Sequence, residues 1–443
     1  MNFYSIAQTI LPGVKDPKKS LTIKDKLIWT GIVLVVFFIL GIIMLIGINQ
    51  SQLPRLEYLQ MILASQIGSL ITLGIGPIVL ASIILQLLAG VKIINLDFSN
   101  PDDRAKFAVL QKVSAVVLSI IEAFVAVKVG FLMPMPGMGL WVVLQVVIGS
   151  IIILYLDDVV TKYGIGSGIG LFIAAGVSQA IIWRIFSPPV AGSTGGLIFM
   201  AVDLISTGAM IQLLTFVLIP LLMTILVFLV VVYAEGMHVN IPLTVGRSGM
   251  GAKYPVKLLY VSVMPVIFAS TLFANVNLLV NIAKNTRFEN IMFKIGVLLT
   301  PQYKLLENAI LGGATSAMWI NALIYMVLFV VTCVIFGKFW VMVGGQDSSS
   351  VARQLQNSGM SIPGFRRDER VLATVLNRYI PTITILGSIF VGLLAFVSDL
   401  TGAIGSGTGI LLTVGVIYKL YEVLAKDQVF QNSAILKQVT GKK

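Results

Sequence analysis

Ten long apolar stretches restrict the fold of this sequence more than any other feature. Each is about twenty residues long, which is the length a helix needs to cross about 30 Å of hydrocarbon. Because 57% of the 443 residues are hydrophobic and only 11% are charged, we predict an all-α polytopic membrane protein. The stretches are called the first to tenth spans, and they lie near residues 27–48, 70–88, 107–133, 138–156, 166–185, 210–233, 256–283, 316–337, 380–398 and 404–423.

Basic residues are distributed unevenly between the segments that connect the spans. Ten spans place both termini on one side of the membrane, and cytoplasmic termini put 23 of the 31 Lys and Arg residues in inside segments. The positive-inside rule therefore predicts cytoplasmic termini. The net charge of +12 then belongs to cytoplasmic surfaces that face either anionic lipid or an anionic partner such as RNA.

A glycine-rich string occurs twice in the sequence. Residues 165–170 read IGSGIG at the start of the fifth span, and residues 404–409 read IGSGTG at the start of the tenth. A weaker repeat relates PIVLAS at 77–82 in the second span to PVIFAS at 265–270 in the seventh. The chain therefore divides into two halves of five spans, and because five is odd the halves lie in opposite orientations in the membrane. A passage or a binding site is expected between them.

The repeat alignment pairs aliphatic residues beside the expected passage. It sets Val79 opposite Ile267 and Ile173 opposite Leu412. Aliphatic constrictions exclude ions by dewetting, which disfavours a transporter of small ions. The glycines of the repeated string either permit close backbone approach beside the passage or serve simple helix packing.

Charged residues are almost absent from the spans. An ion-coupled transporter places ionisable side chains at the midplane, and Glu122 in the third span is the main candidate for such a role. Its carboxylate is either satisfied by neighbouring polar side chains or carries protons. Five further acidic residues lie at span margins, where we expect them to be solvated or interfacial; they are Asp157, Asp158, Asp203, Glu235 and Asp399.

No arrangement of residues that supports catalysis is recognisable in the sequence. One histidine, one cysteine and no intramembrane aspartate pair leave no catalytic residues and no metal site of recognisable spacing. Ile169 stands where a dinucleotide-binding fingerprint requires its third glycine, and Ser167 has no histidine nearby to act as a base. We therefore expect neither an enzyme nor a cofactor.

Two segments outside the spans carry further information. Residues 51–68 are too short and too polar at their start to cross the bilayer, yet Leu56, Leu59, Ile62 and Leu63 follow roughly helical spacing. They predict either a re-entrant helix or a helix lying on the membrane. The segments 234–258 and 337–378 are basic cytoplasmic loops, and they present arginines beside glycine and apolar residues, namely Arg247, Arg366 and Arg367.

Several motifs together resemble the SecY family in its archaeal branch, and the resemblance covers nearly the whole chain. They are LGIGPIVLASIILQLL, YGIGSGIGLFIAAGVSQ, IPLTVGR, KYPVK, GFRR and GSGTGILLTV. Membership implies an hourglass pore through which unfolded polypeptide crosses the cell membrane. It also implies a seal at the waist of the pore by a ring of aliphatic side chains, which would be Ile75, Val79, Ile169, Ile173, Ile267 and Leu412.

The same resemblance implies further sites and partners. Residues 51–68 would form a plug, and a lateral gate for signal sequences would lie between the second and third spans and the seventh and eighth, at Ile84, Glu122, Phe273 and Asn275. Glu122 and Asn275 match polar gate positions and would be partners. The three loop arginines would bind a ribosome, and SecE-like and beta small subunits would complete a heterotrimer. The glycines at 166, 168 and 170 would keep the approach to the ring wide.

The predicted organisation follows from these assignments. A cytoplasmic amphipathic segment (1–26) precedes the first half (27–187), and the second half (188–425) precedes a cytoplasmic tail (426–443); no role is assigned to the external segment near 277–314. Two other functions stay open, an inverted-repeat secondary transporter and a non-conducting insertase scaffold. Flux coupled to an ion gradient would indicate the first, and helix insertion without passage of soluble substrates would indicate the second.

Overall fold

A helix coincides with each of the ten predicted spans in the computed structural model. It describes residues 13–18, 21–49, 66–90, 93–94, 101–189, 195–245, 250–261, 263–282, 289–358, 360–361, 369–418, 420–422 and 425. Among these residues, seven helices are long and apolar enough to cross a membrane by length and composition. From the first to the tenth span, the helices are Ile23–Ile42, Gly76–Gly90, Pro101–Lys128, Gly139–Tyr163, Gly168–Phe186, Met210–Gly236, Met264–Ile282, Ser316–Val343, Glu369–Thr401 and 407–418.

Local sequence explains two features of these helices. The first span begins after a capping box, in which the Thr22 hydroxyl accepts a hydrogen bond from the Asp25 amide (3.3 Å) and the Asp25 carboxylate accepts one from the Thr22 amide (3.2 Å). The sixth span contains a π-helical turn at Leu214–Leu218, directly before Pro220. Proline has no amide hydrogen to donate to the preceding turn, which favours a local change of helical winding there.

The eighth and ninth spans extend beyond their predicted bounds into the segment 337–378. They contain 28 and 33 residues, which corresponds to about 42 and 50 Å of helix. A further helix, Ser348–Asn357, lies between them and buries Val351, Ala352 and Leu355. The segment that we predicted as a loop is therefore largely helical. Hydropathy did not reveal this, because it marks only the part of a helix that lies in lipid.

The segment 234–258 forms a β-hairpin instead of an irregular loop. Strand β1 (His238–Val245) pairs antiparallel with β2 (Met250–Lys257) and with the short strand β3 (Met360–Ser361), in the order β2-β1-β3. The seventh span therefore begins at Met264 rather than at 256, since β2 continues to Lys257. The sheet joins the two basic segments, because β3 belongs to the connection between the eighth and ninth spans.

Short helices lie outside the predicted spans in the second half. Leu197–Ser206 precedes the sixth span, while Glu289–Leu299 and Leu305–Ile310 follow the seventh. The last two lie in the external segment to which the sequence assigned no role. Leu305 is 1% exposed and belongs to the main apolar cluster, so part of this segment packs against the spans.

Candidate functional site

The fifth and tenth spans contact each other through glycines of the repeated string. A Cβ atom on Gly170 would lie 3.3 Å from Val416 Cγ2, and one on Gly409 would lie 2.7 Å from Val177 Cγ2. The two contacts exchange under the repeat alignment, because Gly170 corresponds to Gly409 and Val177 to Val416. Each glycine therefore admits the valine of the other span at close range.

Ile173 and Leu412 lie at the middle of this crossing. Ile173 stands one helical turn from both contact residues of the fifth span, and Leu412 holds the same position in the tenth. Since the start of each span contacts a later turn of the other, the spans cross antiparallel and both side chains lie on the contacting faces. Ile173 is 0% exposed and Leu412 is 3% exposed.

The other four predicted ring residues join the same apolar cluster. Ile75, Val79 and Ile267 are each at most 2% exposed. Ile169 is partly buried and packs against the cluster that contains the other five. The six predicted ring residues come from four separate spans, and all of them belong to or pack against this one large apolar cluster; that they form a ring stays a prediction.

A cavity of about 300 Å³ adjoins this cluster. Val79, Ile169 and Ile267 form part of its wall. It lies at the face where the third and fifth spans begin and where the second and eighth spans end, so one side of the aliphatic cluster borders an internal space. The remaining lining residues are more polar on average and include Ser82, Gln86, Gln111, Ser167 and Trp340.

The repeated glycines serve purposes that differ from one position to the next. Gly166 and Gly405 have φ angles of +82° and +90°, a conformation that side chains with a Cβ rarely adopt. Nothing lies within 4 Å of a Cβ placed on Gly166, whereas a Cβ on Gly168 would lie 2.5 Å from Asp157 Oδ1. Gly168 is therefore required by close packing, so the expectation that it keeps an approach wide is wrong. Gly166 is favoured by its backbone conformation, and because the space beside it is open, its role at the approach to the ring stays a prediction.

Of the five acidic residues expected to be solvated or interfacial, Glu235 and Asp399 are buried, Asp157 and Asp158 are partly buried, and Asp203 is exposed. Asp399 is 3% exposed and accepts a hydrogen bond from the Gly407 amide (2.8 Å). Asp157 accepts one from the Ile169 amide (2.9 Å), and Glu235 is 6% exposed. Asp158 forms an ion pair with Lys112 of the third span. Sequence position at a span margin did not reveal that the carboxylates of Asp157, Asp158 and Asp399 bind groups on neighbouring segments.

The predicted gate residues lie on spans that contact one another. The second span packs against the seventh and eighth spans. Phe273 is 6% exposed and packs edge-on against Tyr325 and Phe329 of the eighth span, with ring centroids 5.9 and 5.8 Å apart. Ile84 is 39% exposed. An aromatic cluster therefore joins the seventh and eighth spans, and Ile84 offers apolar surface on the second.

The implied pairing of Glu122 with Asn275 is not formed in this structure. Asn275 Nδ2 donates to the Thr271 carbonyl oxygen of its own helix (2.9 Å). Glu122 Oε1 is buried and has no hydrogen-bond partner among the described residues. A sequence pattern identifies these two gate positions, but it does not determine how their side chains are oriented.

The remaining predicted residues lie outside the described part of the chain. They are Leu56, Leu59, Ile62 and Leu63 of the plug segment, and Arg247, Arg366 and Arg367 of the basic segments. Within the described residues, no group of three or more His, Cys, Asp or Glu side chains is placed to hold a metal ion.

Comparisons with known proteins place the chain beside one family. The family model described as SecY matches residues 69–421. A protein of Methanothermobacter thermautotrophicus, described as protein translocase subunit SecY, is 45% identical over 98% of this chain and 97% of its own length. Similar solved structures include a protein-conducting channel (TM-score 0.83, 41% identity, 97% of this chain and 98% of that chain covered) and Sec61 in a canine ribosome–channel complex (TM-score 0.79, 40% identity, 97% and 98%).

Proposed function

The chain belongs to the SecY family, and from this premise we propose how its spans conduct and release polypeptides. It is a protein-conducting channel that translocates unfolded secretory polypeptides across the membrane and releases transmembrane segments into lipid. We assign the waist of the channel to the aliphatic cluster of Ile75, Val79, Ile169, Ile173, Ile267 and Leu412. The cavity beside it would be the vestibule on the cytoplasmic side.

The observation that carries this assignment is the symmetric crossing of the fifth and tenth spans. It places Ile173 and Leu412 at the boundary between the inverted halves, where a passage is expected. Aliphatic side chains offer an ion no coordination that would compensate its lost hydration, so a closed ring resists ion flow. They also lack hydrogen-bonding groups that would hold a passing polypeptide, so an open ring releases it.

The lateral gate would lie between the second and third spans on one side and the seventh and eighth on the other. A signal sequence bound there transfers apolar surface from water to lipid and to the gate lining, which favours binding by about 25 cal/mol per Å². Glu122 has a buried oxygen without a hydrogen-bond partner among the described residues. It would destabilise the closed gate, because burying a polar group without a hydrogen bond costs free energy. The segment 51–68 would be the plug.

Signal sequences are expected to label this gate selectively. A photoreactive probe in the apolar core of a stalled signal should react near Ile84 and Phe273. Leu393 of the ninth span is a matched control, because it is as exposed as Ile84, at 39%. Because the two residues are equally exposed, a difference in labelling reports where the signal sequence binds. Stronger labelling at Leu393 than at Ile84 would therefore contradict the gate assignment.

The partners follow from the family and from the basic segments. The chain would assemble with SecE-like and beta small subunits in the cell membrane, with both termini in the cytoplasm. We propose that it is not an enzyme and that a bound ribosome supplies the driving force through elongation. The sheet β2-β1-β3 supports a joint docking surface, because it physically links the two basic segments that carry Arg247 and Arg366.

Charge reversal in both basic segments is expected to weaken ribosome binding. Arg247→Glu combined with Arg366→Glu should lower the affinity at least tenfold at physiological salt, because arginine–phosphate contacts are charge-assisted and release counterions. Sedimentation of ribosomes with the purified complex over a salt series measures the effect. Arg184→Glu, at the far end of the fifth span, should leave binding unchanged; unchanged binding in the double variant would mean that these segments only solvate the surface.

A further inference from the structure

We propose that two hydrogen-bonded latches, one in each half, position the aliphatic waist. Each latch consists of a threonine from the first span of its half and an aspartate from the fourth, both bound to the turn that begins the fifth. Thr30 and Asp157 form the first latch, and Thr224 and Asp399 form the second. The inference rests on the proposed waist, because the latches act on Ile173 and Leu412.

The first latch fixes both ends of the turn that begins the fifth span. The Ile165 amide donates to Thr30 Oγ1 (3.2 Å), and the same hydroxyl donates to the Lys26 carbonyl oxygen (2.8 Å). Four residues later, the Ile169 amide donates to Asp157 Oδ1 (2.9 Å). Thr30 is 6% exposed, so its hydroxyl is part of the packed interior.

The second latch repeats this arrangement at the start of the tenth span. The Ile404 amide donates to Thr224 Oγ1 (2.8 Å), and that hydroxyl donates to the Pro220 carbonyl oxygen (2.6 Å). The Gly407 amide donates to Asp399 Oδ1 (2.8 Å). Since five crossings separate the two turns, the latches lie at opposite faces of the membrane and follow the inverted symmetry of the halves.

The need for such latches follows from the chemistry of helix starts. The first amides of a helix have no partner within the helix, and an unpaired amide is costly away from water. A carboxylate from the neighbouring span accepts this hydrogen bond and is favoured by the positive end of the helix dipole. The threonine holds the preceding residue, so the turn is attached to two different spans of its half.

Each latch lies close to its ring residue along the helix axis, so it affects the position of the waist. Ile173 is one helical turn beyond Ile169, and Leu412 is five residues beyond Gly407. At about 1.5 Å of rise per residue, each ring side chain lies within about 8 Å of its latch along the helix axis. A shift or rotation of either helix start therefore moves a ring residue by a similar amount.

The glycines of the string make close attachment possible. A Cβ on Gly168 would lie 2.6 Å from Asp157 Cα, and one on Gly407 would lie 2.3 Å from the Ala395 carbonyl oxygen. Both glycines thus bring the helix start against the preceding span of the same half, next to the aspartate that binds it. The repeated string therefore supplies the backbone amides that donate to each latch.

Thr30→Val and Thr224→Val, made separately, test the proposal while one latch stays intact. Valine keeps the shape of threonine and removes the hydroxyl. In a Cys333→Ser background, which removes the single cysteine, Ile173→Cys with Leu412→Cys reports on waist geometry through crosslinking by a short bismaleimide. Each variant should lower the crosslinking yield at least threefold. In protein that keeps Ile173 and Leu412, each should raise resting conductance in planar bilayers about tenfold, because a buried amide that loses its partner destabilises the closed arrangement by about that factor. Thr→Ser at either position should restore both.

Thr215→Val is the matched control in the same span as Thr224. Thr215 is 1% exposed and its hydroxyl donates to the Ile211 carbonyl oxygen (2.7 Å), and among the described residues it binds no amide of another segment. It should change neither crosslinking nor conductance. Unchanged crosslinking in both latch variants would overturn the proposal, as would failure of both to insert when Thr215→Val inserts, because the role would then be structural.

A parallel measurement separates the latches from the waist itself. Ile173→Ser combined with Ile267→Ser should raise conductance whether or not the latches exist. If it does not, the assignment of the waist fails while crosslinking still decides the latch proposal. If serine raises conductance and the latch variants lose crosslinking without leaking, the latches do not hold the seal, and that result overturns the proposal.

Discussion

Gly149→Ala and Gly387→Ala should each reduce the stability of the folded protein by more than an ordinary buried substitution. A Cβ on Gly149 would lie 1.8 Å from the Leu70 carbonyl oxygen, and one on Gly387 would lie 2.6 Å from the Leu258 carbonyl oxygen. Both neighbours are backbone atoms, which cannot rotate away as a side chain can. The helices must separate instead, so we expect a loss of about 3 kcal/mol for Gly149→Ala and a somewhat smaller loss for Gly387→Ala.

Gly31→Ala is the control for this prediction. Gly31 also lies within a spanning helix, but a Cβ placed there has no atom within 4 Å. Alanine should leave stability unchanged or raise it by up to about 1 kcal/mol, because glycine is the poorer helix former. Thermal unfolding in detergent, followed by tryptophan fluorescence, compares the three variants. Equal midpoints for Gly149→Ala and Gly31→Ala would contradict the packing described.

These two contacts also show the inverted repeat at the level of single atoms. Gly149 and Gly387 occupy corresponding places in the fourth and ninth spans, and each is followed by a buried serine. Leu70 and Leu258 correspond under the same alignment that pairs Val79 with Ile267. We therefore expect Gly149→Ala and Gly387→Ala to disturb equivalent helix contacts in the two halves.

The spans and the symmetry could be predicted from the sequence because both depend on local composition. A membrane selects apolar stretches of fixed length, and the repeated string marked the starts of the fifth and tenth spans. The hairpin His238–Val245 and Met250–Lys257 and the helix Ser348–Asn357 were not predicted. They lie outside lipid, where hydropathy carries no signal and tertiary packing decides the structure.

The proposed waist was easier to derive from the sequence than the residues proposed to support it. Symmetry pairs Ile173 with Leu412 and Val79 with Ile267, so a repeat alignment is sufficient to select these residues as candidates. Thr30 and Thr224 lie in no recognisable motif, and their role depends on amides more than a hundred residues away. Extending the repeat to the first and sixth spans would have been needed to find them.

Aspartate at two waist positions should turn the closed channel into an ion leak. In Ile173→Asp combined with Ile267→Asp, the carboxylates would coordinate cations and water in a ring that otherwise offers neither. The serine pair at the same positions should have a smaller effect in the same direction, because hydroxyls wet the ring without adding charge. Secretion should be reduced less than the seal, since a passing polypeptide needs a wide ring more than an apolar one.

Control substitutions separate the waist from burial in general. Ile153 is 0% exposed and Ile380 is 1% exposed, so Ile153→Ser with Ile380→Ser introduces the same chemistry at equally buried places in the fourth and ninth spans. This pair should destabilise the protein, because it buries hydroxyl groups at the expense of apolar contacts. It should not open a path for ions.

Resting conductance of the purified complex in planar bilayers, without ribosome or substrate, tests the central assignment most directly. The parent and the Ile153→Ser, Ile380→Ser pair should show the same high resistance. The Ile173→Ser, Ile267→Ser pair should conduct at least tenfold more, and the aspartate pair more again. If folded and inserted protein with serine at 173 and 267 keeps the resistance of the parent, these residues are ordinary packing and the waist of the channel lies elsewhere.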